Sequence, residues 1–425
     1  MALFSSRVFD LGDSIQYKPE SWSKGDVAMK RVMVCLKVLA VLFAVALTGG
    51  CSNATNAGTS AAEQSSSAAS QVKLVDCALI KDDDFGGIYL DISIEDFNAL
   101  GFTFGDGIDV AFSNGYSLTD IPYYNGYYAA SGTPQACGYP GYENVLLNNA
   151  QGPSLWEQAG VSEGETATVV LTDPGKYLDV QEVFSLSYST ERSDYPDDAV
   201  FANFRELSGG TLKEGLLYRS ASPVDNTYNR APYVNNLAKN ADVRFVLNLA
   251  DSDEEIAGLI KEDQEESVDI SYFLELYDKG SVAPLNLDSD FMSPSFATTL
   301  ANGLRELTSH EGPYLIHCLE GKDRTGFVCM LLESLAGATY DELLDDYMIS
   351  YANYYGITQE NDPDRYSDIE LMKFDDILVS FTHAEGVDDL KTKDYVAAAR
   401  TYLRDGGMTD EEIDRLAEVI CRTGI

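Results

Sequence analysis

His317-Cys318-Leu319-Glu320-Gly321-Lys322-Asp323-Arg324-Thr325-Gly326 is the stretch on which the reading of this 425-residue chain turns. It fits the pattern H-C-x-x-G-x-x-R-[ST]-G, with five residues between Cys318 and Arg324. A thiolate is a strong nucleophile, and backbone N–H groups with a helix N-terminus stabilise it. Gly321 and Gly326 are read as the positions that turn the loop amides inward, forming a nest for phosphate oxygens. The backbone of Leu319, Glu320, Gly321, Lys322 and Gly326 would then bind phosphate. Arg324 offers a planar fork for two oxygens. Thr325 can donate its hydroxyl to the Cys318 sulfur. The flanks suit this: Gly312-Pro313 is a turn, Tyr314–His317 an apolar strand, and Phe327–Ala336 a buried helix closed by Gly337. A strand, a glycine loop and a helix N-terminus in series make a general phosphate-holding device.

The segment resembles the signature of the protein tyrosine phosphatase superfamily. The form H-C-x-x-G-K-D-R-T-G is similar to bacterial tyrosine phosphatases of the dual-specificity type, some of which also act on phosphoinositides. The likeness extends to Gly215-Leu216-Leu217-Tyr218-Arg219-Ser220-Ala221, which resembles that group's opening strand, and to Asp346-Tyr347-Met348 on a downstream helix. Val243–Asp251 stands where the group has a strand ending in Asp-Leu-Arg; Leu249-Ala250-Asp251 departs from it. The resemblance covers roughly residues 200–425.

It implies a two-step reaction through a cysteinyl-phosphate on Cys318, with Arg324 stabilising charge, His317 orienting the loop and Thr325 assisting hydrolysis. It also implies Asp323 as leaving-group acid; Asp278, Asp251, Asp288 and Asp290 are the alternatives. Lys322 adds a cation of a kind found in lipid-directed phosphatases, whereas Glu320 opposes a crowded polyphosphate. Arg219 and Arg230 either contact phosphate or brace the sheet. The expected function is protein tyrosine (dual-specificity) phosphatase. The alternatives are a phosphoinositide or inositol polyphosphate phosphatase, and a surface binding protein whose β domain is the main function. No cofactor is expected. With three His (His310, His317, His383) and no Cys/His cluster, no metal site is expected either.

Net charge is −40, and since residues 1–50 hold six basic and four acidic side chains, the remainder carries −42. Such a field repels nucleic acid and anionic headgroups. The expected partner is a phosphorylated protein or phosphoinositide, with no nucleic acid. Met29-Lys30-Arg31-Val32 opens a charged segment, and Val34–Leu47 is apolar except for Lys37. Thr48-Gly49-Gly50-Cys51 then resembles a bacterial lipoprotein cleavage site. Residues 1–50 are therefore read as an export signal with an upstream extension, Met29 being the expected start. Cys51 is the expected lipidation site, and a lipid anchor alone would hold the chain on the outer face of the cell membrane. Cys77 and Cys137 are the cysteines of the N-terminal region; their spacing leaves open whether they pair.

Residues 51–71 read as a Ser/Ala-rich tether. Residues 72–190 read as an all-β domain, sandwich or small barrel, with one helix near Ile94–Leu100. Its Tyr116, Tyr123, Tyr124, Tyr127 and Tyr128 are core aromatics or a recognition surface. Residues 193–425 read as an α/β domain, a central parallel or mixed sheet flanked by helices. Strands are expected at Leu216–Arg219, Val243–Leu249, Ile270–Leu276 and Tyr314–His317. Helices are expected from Ser252, at Ser295–Leu307 and after a capping box at Thr409–Glu412. Ligands sit at the carboxyl ends of such strands, which would bring Asp251 and Asp278 towards Cys318.

Overall fold

The structure is a computed structural model that describes residues 72–422. The export segment, Cys51 and the tether of residues 51–71 lie outside the described residues. The first half is a closed barrel of seven strands in the order β1-β2-β6-β5-β4-β3-β7. These are β1 (Lys73–Lys81), β2 (Ile88–Ser93), β3 (Gly107–Phe112), β4 (Ser117–Tyr124), β5 (Pro134–Cys137), β6 (Asn144–Asn149) and β7 (Thr166–Asp173). Alternation places Ile108, Val110 and Phe112 of β3, with Ala167 and Val169 of β7, inside. The expected helix is present as α1 (Ile94–Ala99), capped by Ser93, whose hydroxyl accepts the Asp96 N–H at 3.0 Å. It sets Phe97 against Phe102, ring centroids 4.1 Å apart, inside the barrel. Tyr123 and Tyr124 are buried and Tyr116, Tyr127 and Tyr128 half-buried, so these tyrosines are largely packing residues. Cys77 and Cys137 are buried free thiols, and burial pushes Cys137 up to about 12.

A second short helix, α2 (Leu155–Ala159), joins β6 to β7 and packs on the barrel core, and α3 (Leu178–Phe184) follows β7 towards the second half. Its sheet has the order β11-β10-β12-β9-β8. The strands are β8 (Arg205–Glu206), β9 (Leu217–Ser220), β10 (Phe245–Asn248), β11 (Val282–Pro284) and β12 (Tyr314–His317). All pair in parallel except β8, which is antiparallel to β9. The helices are α4 (Asp198–Phe201), α5 (Ala231–Asn240), α6 (Asp253–Glu266), α7 (Ser271–Asp278), α8 (Pro294–Leu307), α9 (Asp323–Leu335) and α10 (Tyr340–Tyr355). After α11 (Pro363–Ile369), a π-helical turn at Glu370–Asp375 continues into α12 (Asp376–Thr382), then α13 (Tyr395–Asp405) and α14 (Asp410–Ile420). Over the described residues, the two halves form one compact unit.

The register fixes the site. His317 at the end of β12 pairs with Asn248 of β10 on one side and Ser220 of β9 on the other. All four residues of β12 are buried, as expected of a central parallel strand. Helix α9 is buried on every face from Thr325 to Leu335 and ends before Gly337, whose φ is +80°. Thr409 and Glu412 make the expected capping box.

One expected strand is a helix. Ile270–Leu276 falls largely within α7, where Phe273 and Leu276 are buried three residues apart, a helical spacing. The Phe273 N–H donates to the Asn235 side chain at 2.8 Å, tying α7 to α5. The strand that follows is the short β11.

Candidate active site

The loop from Cys318 to Lys322 joins β12 to α9, and its shape is imposed from outside. Its carbonyls point away from the loop centre and are each claimed by a neighbour. Leu319 O accepts the Ser222 N–H at 3.0 Å. Glu320 O accepts Tyr354 OH at 2.5 Å, and Gly321 O accepts Asn203 Nδ2 at 3.0 Å and Arg219 Nη2 at 2.8 Å. Lys322 O accepts the Gly326 N–H at 2.8 Å, the first turn of α9. Among the described residues, the N–H groups of Leu319, Glu320, Gly321 and Lys322 have no acceptor in the protein. Turning the carbonyls outward leaves these donors for an anion, together with the N-terminus of α9.

The two glycines of the motif do different work. Gly321 has φ +67°, and a Cβ there would lie 2.1 Å from Ser220 O and 2.3 Å from Ser220 C. The loop crosses the end of β9 so closely that only glycine fits. Gly326 lies within α9, and its added Cβ would meet nothing nearer than Tyr347 at 3.4 Å, ordinary contact. The expectation that Gly326 helps turn the loop is thus corrected: it is a helical residue.

Behind the loop lies a buried charge cluster. Arg219, fully buried, pairs with Asp346 of α10, which also takes Arg205 Nε at 2.8 Å. Burial alone would raise the Asp346 carboxyl, but the two guanidiniums outweigh it and hold it below the usual range. Glu333 on α9 is 1% exposed, and its Oε2 has no partner among the described residues. Burial beside Asp346 pushes it well above the carboxylate range, so its neutral form is favoured. With Glu333 neutral, two arginines and one carboxylate leave a net positive charge behind the loop. Arg219 is therefore a brace, as its place on the opening strand allowed. Arg230 is also interior: its Nε donates to Phe201 O at 2.8 Å, and its guanidinium lies 4.8 Å from the rings of Tyr188, Phe201 and Tyr354.

Cys318 is 3% exposed at the foot of the loop. His317 is fully buried, and burial drives it down to about 3, so the ring is neutral. Its Nδ1 is 3.2 Å from the Cys318 carbonyl, which can only accept, so Nδ1 carries the proton. The Thr325 hydroxyl is buried without a partner among the described residues, so the expected bond to the Cys318 sulfur is not formed. Arg324 Nη1 donates to Leu287 O at 2.9 Å, anchoring the fork to the segment after β11.

The fold brings four of the five candidate acids, Asp323, Asp251, Asp288 and Asp290, to this end of the sheet. Asp323 is the first residue of α9, its side chain 49% exposed and 3.7 Å from Lys322. Asp251, after β10, accepts Asn248 Nδ2 at 3.0 Å. Burial raises its carboxyl, Asn248 lowers it, Asp225 raises it and Arg324 lowers it; the net direction is up. Asp278 is excluded. It closes α7 and precedes β11, so it lies at the amino end of a parallel strand, opposite the loop. Asp288 and Asp290 follow β11, next to the Arg324 anchor at Leu287.

Lys322 is not a free cation. Its ammonium lies 3.0 Å from Glu320 Oε2 and donates to Tyr355 OH at 3.1 Å. Glu320 is held in turn by the Tyr188 hydroxyl on its other oxygen. A second lysine was not singled out in the sequence. Lys373, on the π-helical turn, stands 3.4 Å over the Phe184 ring, and burial first, then the field of Lys322, lowers it to about 7 despite Asp323. Asn203, Tyr188 and Tyr354, which hold the loop, also escaped the sequence reading; Tyr188 lies 132 residues from the Glu320 it bonds. Among the described residues there is no cluster of His, Cys, Asp and Glu that could hold a metal ion.

The triple specificity protein phosphatase PtpB of Mycobacterium tuberculosis is 32% identical over 126 residues, covering 25% of this chain and 44% of that protein. The chain thus spans less than half the length of that relative. The core catalytic domain of the PP-IP phosphatase SIW14 of S. cerevisiae, solved in complex with citrate, aligns at 18% identity over 43% of this chain and 90% of that one, with a TM-score of 0.25. The family profile described as the tyrosine phosphatase family matches residues 199–421, more than half of the sequence and all of the loop and its braces from Asn203 onward. The chain belongs to the tyrosine phosphatase family.

Proposed function

We propose that the chain hydrolyses phosphomonoesters, with phosphotyrosine in proteins as the preferred substrate. The observation that carries this is the loop itself: four carbonyls turned outward, four N–H groups left without acceptors, and Cys318 at its foot. The thiolate of Cys318 attacks phosphorus and the ester P–O bond breaks. The departing oxygen takes a proton from Asp323. Water then attacks the cysteinyl-phosphate, the P–S bond breaks and returns the thiolate, and the water proton passes to Asp323. Arg324 and the loop amides stabilise the equatorial oxygens throughout. His317 holds the Cys318 carbonyl and the loop entry, and Thr325 supplies a buried hydroxyl at the start of α9 that assists hydrolysis. Asp251 sets the polarity around Arg324.

The ranking of substrates rests on Lys322. With its charge paired to Glu320 at 3.0 Å, the loop carries no surplus cation for a second phosphate. Phosphoinositides and inositol polyphosphates therefore rank below phosphotyrosine. The test is a panel of phosphotyrosine peptide, phosphoserine peptide, phosphoinositide and inositol polyphosphate, run with Cys318→Ser as control. A higher kcat/KM on inositol polyphosphate than on every phosphotyrosine peptide reverses the ranking, and turnover by Cys318→Ser removes the nucleophile. The proposal extends to the N-terminus: export with lipidation of Cys51, leaving the enzyme on the outer face of the membrane. Intact mass of the native protein tests it, and an unmodified Cys51 rules it out.

A further inference from the structure

The family match begins at residue 199, yet a side chain that precedes it reaches the catalytic loop. Tyr188 donates its hydroxyl to Glu320 Oε1. Glu320 Oε2 lies 3.0 Å from the Lys322 ammonium, so the carboxylate is anchored through both oxygens. The pair is largely covered, with 21% of the Glu320 side chain and 14% of the Lys322 side chain exposed. Burial first, then the Glu320 charge, pushes the Tyr188 phenol up, so it keeps its proton and donates. The ring is seated by contacts that do not use the hydroxyl. It stacks on Tyr354 with centroids 4.8 Å apart, meets Tyr355 edge-on at 5.7 Å and has the Arg230 guanidinium 4.8 Å away.

These contacts decide what Lys322 can do. Its N–H is one of the four donors of the nest without an acceptor among the described residues, so its side chain starts beside the bound phosphate. A lysine ammonium there is a point charge that draws a further phosphate group unless a carboxylate compensates it. Two carboxylates are near it, Glu320 at 3.0 Å and Asp323 at 3.7 Å. Asp323 is 49% exposed and exchanges its proton in the proposed reaction, so its charge comes and goes. Glu320 is the fixed one, because Tyr188 holds the oxygen that Lys322 does not. With the Tyr188 bond removed, Glu320 keeps one side-chain anchor, and a phosphate oxygen can take its place on Lys322.

We propose that Tyr188 is a positioning residue that sets the substrate range of the loop: by holding Glu320 against Lys322, it withholds the ammonium from a second phosphate group, so a lone phosphomonoester is accepted over a polyphosphorylated ring. The segment between the barrel and the family domain is then part of the site. The inference rests on the phosphotyrosine reading above.

The experiment uses the full chain as wild type, Tyr188→Phe, Glu320→Ala and the double variant. Inorganic phosphate, which ends at the loop, and inositol hexakisphosphate, which extends beyond it, are competitive inhibitors of phosphotyrosine peptide turnover. The readout is the ratio of their inhibition constants, which loop damage common to both ligands leaves unmoved. Tyr188→Phe keeps the ring and removes one hydrogen bond to a charged group, so it should shift the ratio roughly tenfold in favour of inositol hexakisphosphate. Glu320→Ala should shift it at least as far. The double variant should match Glu320→Ala, because Tyr188 acts only through Glu320. An unmoved ratio in Tyr188→Phe, with sound turnover of the peptide, overturns the inference and leaves the phosphatase reading standing. So does a double variant in which the two shifts multiply, since Tyr188 then acts by another route. No turnover of any phosphotyrosine peptide by the wild type sinks the parent reading and this one together.

Discussion

Gly321→Ala and Gly326→Ala alter two glycines of one ten-residue motif and should have opposite outcomes. At Gly321 the new Cβ would stand 2.1 Å from Ser220 O, where real contacts do not fall below 3.0 Å, so the gap must open by about 0.9 Å. The obstructing atoms are backbone of β9, which pairs with β12 and β8 and has no room to yield. The left-handed φ of +67° adds roughly 1–2 kcal/mol for any L-residue. The loop would be forced off the end of β9, losing the Gly321 bonds to Asn203 and Arg219. A displacement near 1 Å in the phosphate nest should lower kcat/KM about 100-fold. Gly326→Ala meets only ordinary contact and removes a flexible residue from a helix, so it should stabilise by about 0.5–1 kcal/mol. Its activity should stay within a few-fold. The assay is kcat/KM on an aryl phosphate beside thermal unfolding of both variants. A Gly321→Ala enzyme within threefold of wild type would refute the account of the loop, as would a collapse of Gly326→Ala.

Asp323→Asn should slow phosphotyrosine hydrolysis by roughly 100- to 10,000-fold and hurt far less with an activated aryl phosphate, whose leaving group scarcely needs a proton. Asp251→Asn run beside it is the decisive comparison: the same selective loss there, with Asp323→Asn near wild type, would move the acid to Asp251. Asp278→Asn, at the opposite end of the sheet, should alter neither substrate. Glu333 binds its proton more tightly folded than unfolded, so its contribution to stability falls as pH rises above the unfolded value of about 4.3. Glu333→Gln should therefore match wild type near pH 4 and gain Tm progressively towards pH 8; a constant Tm difference across that range would mean Glu333 does not titrate as its burial requires. Removing the partner of a buried pair, Asp346→Ala, should cost about 3–5 kcal/mol and be read as a lower denaturation midpoint; an unchanged midpoint would show that the cluster does not hold the loop.

The sequence by itself determined the chemistry. A local motif suffices because the candidate nucleophile, nest and Arg fork occupy ten consecutive residues, and their mutual geometry is largely set by strand, glycine and helix. The α/β class and the all-β half were legible for a similar reason: period-2 and helical patterns report which face is buried. Ile270–Leu276 was misread because a short apolar run fits a buried strand and a helix alike, and the spacing of Phe273 and Leu276 gains meaning only once α5 packs against it. That error carried Asp278 to the wrong end of the sheet. Only the tertiary structure decided what holds the loop, because Asn203, Arg219, Tyr188 and Tyr354 reach it from distant segments through bonds that leave no spacing in the sequence. It also separated Gly321 from Gly326, identical letters in one motif, since the difference lies in how close another strand passes.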